Sequence, residues 1–181
     1  VFLKSRSSAS FPAETKDFIA PSPVSISNCG SITIHKQDDL GTALAGLPIT
    51  HLNLDYNVVI VPSARRAGLS DVTVLGRFTS LKELTLSRNQ VRDIAPLASL
   101  KNLKTLALEE NQVADLSPLA AMPSLVNLTL GGSPARDLSP LAGLSRLKTL
   151  SLDGLPAGGA LHVLSGMPNL KDLSLAGAQV T

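Results

Sequence analysis

The feature that most constrains the fold is a sequence repeat with a fixed step of 22 residues. One copy begins at Leu81, and the same frame restarts at Leu103, Leu125 and Leu147. The next restart, at Leu170, follows after a step of 23 residues. A fixed period of this length indicates a solenoid, in which each unit buries its apolar face against its neighbours.

Each copy has two halves with different local patterns. In the first half, Leu84-Thr85-Leu86 alternates apolar and polar side chains, which predicts a short strand with one buried face. Equal spacing places these strands side by side in a parallel sheet, about 4.8 Å apart. In the second half, proline recurs at Pro96, Pro118 and Pro140. Because proline interrupts a long helix, we expect a tight 3₁₀-like return there.

The frame L-x-x-L-x-L-x-x-N-x-V-x-D-I-x-P-L-x-x-L, which runs from Leu81 to Leu100, resembles the leucine-rich-repeat family. The 22-residue step with its D-I/L-x-P-L segment is similar to the subclass shared by bacterial internalins and the regulatory subunit of the type-1 protein phosphatase. The resemblance covers roughly residues 44–181. It implies an α/β leucine-rich-repeat solenoid, with a curved parallel sheet on the concave side and short 3₁₀ or turn-like returns on the convex side.

The resemblance also implies a role for one asparagine in several copies. Asn57, Asn89 and Asn111 match the family's buried turn amide, which hydrogen-bonds backbone groups of adjacent repeats. Three later copies depart from this pattern, at Ser133, Leu155 and Ala178. We expect the turns of these three copies to be looser.

The chain divides into three segments. Residues 1–30 are rich in Ser and Pro and contain one leucine, so an extended or disordered segment is predicted. Residues 31–48 are predicted to form an N-terminal cap with a short strand and a helix that begins at an Asp N-cap. Residues 49–181 form the repeat array, whose first copy carries a ten-residue insertion near 58–67.

The ends of the chain also carry an expectation. The sequence begins at Val1 and stops at Thr181, inside a repeat. An array that ended there would expose leucines and an unpaired strand edge. We therefore expect a fragment of a longer protein, truncated at the C-terminal end of its array.

Composition excludes several classes of protein. The chain has 16 Lys and Arg against 14 Asp and Glu, a net charge of +2, which is too even a balance for a nucleic-acid-binding surface. One cysteine cannot close an internal disulfide, and no apolar run approaches the length of a membrane span. No acid pair or ligand cluster recurs at metal spacing. We therefore predict no metal, cofactor or small-molecule substrate.

Two weak catalytic patterns have simpler structural explanations. Cys29 and His35 are residue types that can act as nucleophile and base, but a small cap residue beside a surface histidine accounts for them. Gly158-Gly159 lacks the Lys and Ser/Thr of a phosphate-binding loop and any following β–α unit, so these are interpreted as turn glycines. The chain is therefore predicted not to be an enzyme.

The exposed positions of the strands form columns across the sheet, and position eight of the frame is the most informative column. It begins with Tyr56, Arg88 and Glu110, which would place a ring, a guanidinium and a carboxylate side by side. A self-contained surface ladder and a binding site both fit this pattern. The argument for a binding site is the insertion, which emerges beside Tyr56 with Arg65 and Arg66 at its tip. The predicted partner-binding residues are Asp55, Tyr56, Arg65, Arg66, Glu83, Arg88, Glu109 and Glu110.

Two other columns each have two interpretations. Glycine recurs near the strand ends, at Gly131, Gly132, Gly154 and Gly177. These glycines either leave a smooth floor for a partner or only permit the turn geometry of copies without asparagine. The lysines at position two are either a solvated stripe or, at Lys148 and Lys171, a contact for an acidic partner.

The predicted function is protein recognition by a rigid concave surface, with another protein as the partner and the chain itself a monomer. One alternative is a substrate-targeting domain of a longer secreted bacterial effector enzyme, whose catalytic domain lies beyond residue 181. The other alternative is a structural or self-associating repeat array. A bacterial secreted or host-delivered location and a cytoplasmic one both fit, because a single cysteine permits a reducing compartment without requiring it.

Overall fold

The structure is a computed structural model that describes residues 24–26, 49–54, 58–60, 66–156 and 158–178. Several predictions concern other residues and lie outside the described ones: the cap 31–48, most of segment 1–30, Cys29, His35, Asp55, Tyr56, Asn57, Arg65 and the last three residues. Within segment 1–30 the structure describes one strand, β1 (Val24–Ile26).

The described chain is built around a parallel sheet of seven short strands. After β1 its order is β2 (Ile49–Asn53), β5 (Glu83–Thr85), β6 (Thr105–Ala107), β7 (Asn127–Thr129), β8 (Thr149–Ser151) and β9 (Asp172–Ser174). The register places the central leucine of each strand opposite its equivalent in the next, for example Leu84 opposite Leu106. The 22-residue step along the chain is therefore a sideways step of one strand, which confirms the predicted solenoid.

The insertion predicted near 58–67 contains two further strands. β3 (Val58–Ile60) and β4 (Arg66–Gly68) pair antiparallel in a separate two-stranded sheet. Val58 lies opposite Gly68, and Ile60 lies opposite Arg66. Arg66 is thus the first residue of β4 and part of its ladder, although the sequence suggested a position at the tip of the insertion.

The returns between strands are 3₁₀ helices, as the recurrent prolines predict. They span Thr73–Arg77, Ala95–Ser99, Ser117–Ala121, Ser139–Gly143 and Gly158–Gly166. Proline stands at the start of the middle three, where the missing N–H is tolerated. Between returns and sheet lies an aliphatic core, in which Leu84 and Leu106 are 0% exposed. Leu173 is 43% exposed, because β9 is the edge strand of the described sheet.

A buried asparagine links neighbouring turns in two repeats, as the resemblance implies. Asn111 is 5% exposed. Its Oδ1 accepts the N–H of Val91 at 3.0 Å, and its Nδ2 donates to the carbonyls of Leu86 and Leu108 at 2.9 and 3.0 Å. Asn89 makes the equivalent bonds one repeat earlier. Each amide therefore ties its own turn to the preceding repeat.

Three repeats lack this amide and close their turns with backbone groups. The N–H groups of Ser133, Leu155 and Ala178 donate to the carbonyl three residues earlier, at 3.2, 3.1 and 3.0 Å. Ser133 is 2% exposed, and within the part of the chain that the structure describes its Oγ has no hydrogen-bond partner. A buried hydroxyl without a partner is unfavourable. The turn at Ser133 is therefore weaker than the turns that hold an asparagine.

Four exposed aspartates begin the returns in the same way: Asp71, Asp93, Asp115 and Asp137. The Oδ1 of each accepts the backbone N–H two residues later, at 2.7 or 2.8 Å. The N–H and then the hydroxyl of Ser117 hold the pKa of Asp115 below its ordinary value of 3.8. The hydroxyl and N–H of Ser139 do the same to the pKa of Asp137. The bonds lower both pKa values because they favour the ionised carboxylates.

These lowered pKa values predict a loss of stability in acid. A carboxyl whose folded pKa lies below its unfolded pKa stabilises the fold fully above about pH 4, and the contribution is lost as pH falls through the folded pKa. The double variant Asp115→Asn, Asp137→Asn keeps an oxygen to accept each N–H but has no charge to titrate. We expect its melting temperature to fall less steeply than that of the wild type below about pH 4. Equal slopes for the two proteins would contradict the assignment.

Candidate functional site

One face of the sheet is turned away from the leucine core, and we call it the open face. The first and third residues of each short strand lie on it, while the leucine between them points into the core. The third residue is small in every strand from β5 to β9: Thr85, Ala107, Thr129, Ser151 and Ser174. The open face is therefore a low floor, with larger polar side chains at the strand starts and strand ends.

An ion pair crosses the strand ends between two neighbouring repeats. Arg88 Nε donates to Glu110 Oε1 at 3.0 Å, and the side chains are 49% and 59% exposed. The backbone supports the same approach, since the N–H of Arg88 donates to the carbonyl of Glu109 at 2.8 Å. The N–H of Glu110 donates in turn to the carbonyl of Gly131 at 2.7 Å. The predicted contact between Arg88 and Glu110 is present.

The same two residues have a backbone conformation that is uncommon for residues with a side chain. The φ angle is +59° at Arg88 and +53° at Glu110. At the equivalent place in the later repeats stand Gly132, Gly154 and Gly177, with φ angles of +73°, +69° and +66°. Position eight therefore requires a left-handed backbone, which glycine adopts without strain. Turn geometry therefore explains Gly132, Gly154 and Gly177, whereas Gly131, at position seven, has no positive φ angle.

A second contact between polar side chains lies nearer the middle of the open face. His51 Nε2 is 3.4 Å from Glu83 Oε1, across the pairing of β2 with β5. The two side chains are 39% and 53% exposed. The other ring nitrogen, Nδ1, shares a hydrogen bond of 2.8 Å with Thr50 Oγ1. These contacts fix the orientation of the imidazole on the open face.

The acidic residues at position seven, Glu109 and Asp153, form different hydrogen bonds. Glu109 is half-buried, and its backbone carbonyl accepts the N–H of Arg88. Asp153 Oδ1 accepts the Ser174 hydroxyl at 2.6 Å and the Ala176 N–H at 2.7 Å. The Ser174 bond is the main reason why the pKa of Asp153 lies below 3.8. The Asp153 carboxylate therefore holds the last two repeats together.

The predicted partner-binding residues fall into three groups. The structure describes the side chains of Glu83, Arg88, Glu109 and Glu110. It describes Arg66 by its backbone, and Asp55, Tyr56 and Arg65 lie outside the described residues. It pairs Arg88 with Glu110, whereas Glu83 contacts His51. Sequence reasoning did not include His51 in the site, although its place at position three, one strand from Glu83, was a usable signal.

The described residues form neither a metal-binding cluster nor a membrane-spanning helix. In those ranges no group of three His, Cys, Asp or Glu side chains is placed to hold a metal ion. Nor does any helix of the described chain have the length and apolar character needed to cross a bilayer. His162 is exposed on the last return, and Gly158-Gly159 begin that return's 3₁₀ helix.

Comparisons with known proteins agree with this geometry. A family profile described as leucine-rich repeats (2 copies) matches residues 79–121. No curated protein sequence matches the chain. Among solved structures, internalin F from Listeria monocytogenes is 25% identical, with a TM-score of 0.68 over 82% of this chain and 46% of its own. Internalin C2 from the same species is 34% identical, with a TM-score of 0.62 over 74% of this chain and 54% of its own.

A plant structure shares the fold alone. The ectodomain of the receptor kinase SOBIR1 from Arabidopsis thaliana is 21% identical, with a TM-score of 0.58 over 86% of this chain and 87% of its own. The chain spans about half of the length of the two internalins.

Proposed function

Because the chain is a leucine-rich-repeat protein that resembles the bacterial internalins, we propose that it recognises a partner protein through the Arg88–Glu110 end of its open face. Solenoid folds use the extended surface of their stacked repeats for binding, and the open face has a floor of small side chains. The site consists of the Arg88–Glu110 pair at the strand ends and the His51–Glu83 pair beside it on the strands.

The backbone conformation of Arg88 and Glu110 is the observation that carries the proposal. A left-handed backbone costs about 1–2 kcal/mol at a residue with a Cβ atom. An exposed ion pair contributes about 0–1 kcal/mol, because water screens the charges. One such pair does not offset two strained residues, so stability does not account for side chains at this position. Strained residues that persist in a fold cluster at functional sites.

The surroundings of the pair suit a protein contact. Arginine is enriched in the few interface residues that carry most of the binding energy. Beside the pair, the third strand residues Thr85 and Ala107 are small, so a partner's backbone would reach the sheet without obstruction. The His51–Glu83 pair supplies further hydrogen-bonding groups on the neighbouring strands. We therefore assign the contact to the part of the open face formed by β2, β5 and β6.

The double variant Arg88→Gly, Glu110→Gly tests this assignment. It removes one positive and one negative charge, so the net charge is unchanged. Because glycine relieves the left-handed strain, we expect the melting temperature to stay the same or rise. We expect the affinity for the partner to fall at least ~10-fold, as for the loss of a central interface arginine. The partner is first captured from bacterial and host-cell extracts on the immobilised wild-type chain, then purified for biolayer interferometry.

A matched control removes the same two charges elsewhere. The variant Arg92→Gln, Asp93→Asn changes exposed residues at the start of a return, and its asparagine keeps the oxygen that accepts the N–H of Ala95. We expect this control to bind like the wild type. If the glycine double variant has a lower melting temperature and binds normally, Arg88 and Glu110 form a structural ladder and not a binding site. Light scattering on the wild type measures its molar mass in solution, and an oligomer would support the alternative of a self-associating array.

A further inference from the structure

The starts of the strands carry a row of lysines that the proposed site does not use. Lys82, Lys104, Lys148 and Lys171, which we call the lysine rim, are all exposed. The backbone joins them across the sheet, because the N–H of Lys104 donates to the carbonyl of Lys82 and the N–H of Lys171 to that of Lys148, both at 2.8 Å. The side chains therefore leave the sheet from neighbouring strands, about 4.8 Å apart.

The rim lysines form no ion pair among the residues that the structure describes. Among these residues Arg88 forms an ion pair with Glu110 and His51 contacts Glu83. Like charges directly opposite one another on neighbouring strands are destabilising. Three more cations lie close to the strand starts: Arg77 ends the first return, and Lys101 and Arg146 lie in the segments that lead from later returns to the strands.

Charge is thus sorted between the two ends of the strands. At the opposite end lie most of the acidic groups, among them Glu109, Glu110 and Asp153, together with the aspartates that begin the returns. The chain as a whole has a net charge of only +2. A ligand therefore meets a strongly cationic edge on a nearly neutral molecule, and such an edge attracts acidic groups selectively.

We propose that the lysine rim docks an acidic segment of a partner protein. The rim from Lys82 to Lys171 spans four strand spacings, about 19 Å, which an extended segment of about six residues covers. Val126 occupies the middle of the row and is half-buried. The fitting segment therefore has acidic residues at both ends and apolar residues at its centre.

A nucleic acid fits this edge less well than an acidic peptide does. Val126 interrupts the row of lysines, so a continuous phosphate backbone would have a charge without a lysine at the centre of the rim. Proteins that bind single-stranded nucleic acids also stack the bases on aromatic side chains. Phe78, the aromatic residue nearest in sequence to the rim, packs against the core.

The test uses a fluorescein-labelled peptide with two glutamates, two valines and two glutamates between Gly-Ser ends. Its affinity for the full chain is measured by fluorescence anisotropy at low and at physiological ionic strength. We expect the variant Lys148→Gln, Lys171→Gln to bind it ~5–10-fold more weakly, which corresponds to two exposed ion pairs. The control variant Arg92→Gln, Arg136→Gln removes two charges from the opposite edge and is expected to bind within twofold of the wild type.

Other outcomes would overturn the proposal. Equal weakening by both variants would mean that net charge alone attracts the peptide. Tighter binding of single-stranded DNA of the same charge would make the rim a nucleic-acid surface. Rim-dependent self-association in sedimentation runs without peptide would make its partner a second copy. Because the rim and the Arg88–Glu110 site share no residue, failure here leaves the proposed function standing, and the reverse also holds.

Discussion

Replacing Asn111 with alanine is expected to lower the free energy of unfolding by about 3–5 kcal/mol, the largest effect of any single change considered. The amide is buried and bonds the N–H of Val91 and the carbonyls of Leu86 and Leu108. Alanine would remove the hydrogen bonds to the Val91 N–H and the Leu108 carbonyl, whereas the Leu86 carbonyl would keep its bond from Asn89 Nδ2 at 2.9 Å. Because the bonds join two repeats, the loss weakens the contact between neighbours that holds a solenoid together. Urea unfolding followed by circular dichroism measures the change.

The reciprocal change provides the control. Ser133 occupies the equivalent position one repeat later, where its buried hydroxyl has no partner among the described residues. Ser133→Asn restores the turn amide, and we expect it to stabilise the protein by about 1 kcal/mol. A large loss from Asn111→Ala together with a gain from Ser133→Asn would establish the amide as the link between repeats. A destabilising Ser133→Asn would show that the glycine-containing turn has no room for the larger side chain.

Replacing Gly76 with alanine is expected to destabilise the protein by about 1–3 kcal/mol. The sequence argues the other way, because Ala98, Ala120 and Ala142 stand at the equivalent place in later repeats. A Cβ atom at Gly76 would lie 2.5 Å from the carbonyl oxygen of Pro96. Backbone on both sides of this contact leaves no flexible side chain to move aside. The first return would have to shift away from the second to accept the methyl group.

Gly143 offers a matched control for this prediction. It ends the return Ser139–Gly143 on the same side of the molecule, and a Cβ atom there would meet no other atom within 4 Å. Gly143→Ala is expected to be neutral or to stabilise by about 0.5 kcal/mol, since alanine reduces the freedom of the unfolded chain. Melting temperatures of the two variants are compared directly. Equal effects of the two substitutions would contradict the clash at Gly76.

Much of the fold was predictable because every repeat packs the same kinds of side chain against its neighbours. The alternation at Leu84-Thr85-Leu86 indicated a strand, the recurrent proline indicated a 3₁₀ return, and the step of 22 residues indicated parallel stacking; the structure confirms all three. The insertion near 58–67 was predicted from length alone. The pairing of β3 with β4 was not predictable from length, because it depends on which residues of the two strands lie opposite each other.

The candidate site was predictable in part. Position eight was identified from residue types, and Arg88 does meet Glu110. The sequence left two explanations for Gly132 and its equivalents, a smooth floor or a turn requirement. The φ angles at this position favour the turn requirement. They also show that Arg88 and Glu110 carry side chains at a position where the backbone favours glycine.

By itself the sequence determined the periodic features of this protein: its strands, its returns and its leucine core. These features follow from a residue pattern that repeats along the chain, because the same local sequence forms the same strand and return in each repeat. Only the tertiary structure decided the left-handed backbone at Arg88, the choice of His51 as the contact of Glu83, and the lack of space at Gly76. Such features depend on how closely one repeat packs on the next, and that distance is set by all the side chains between them.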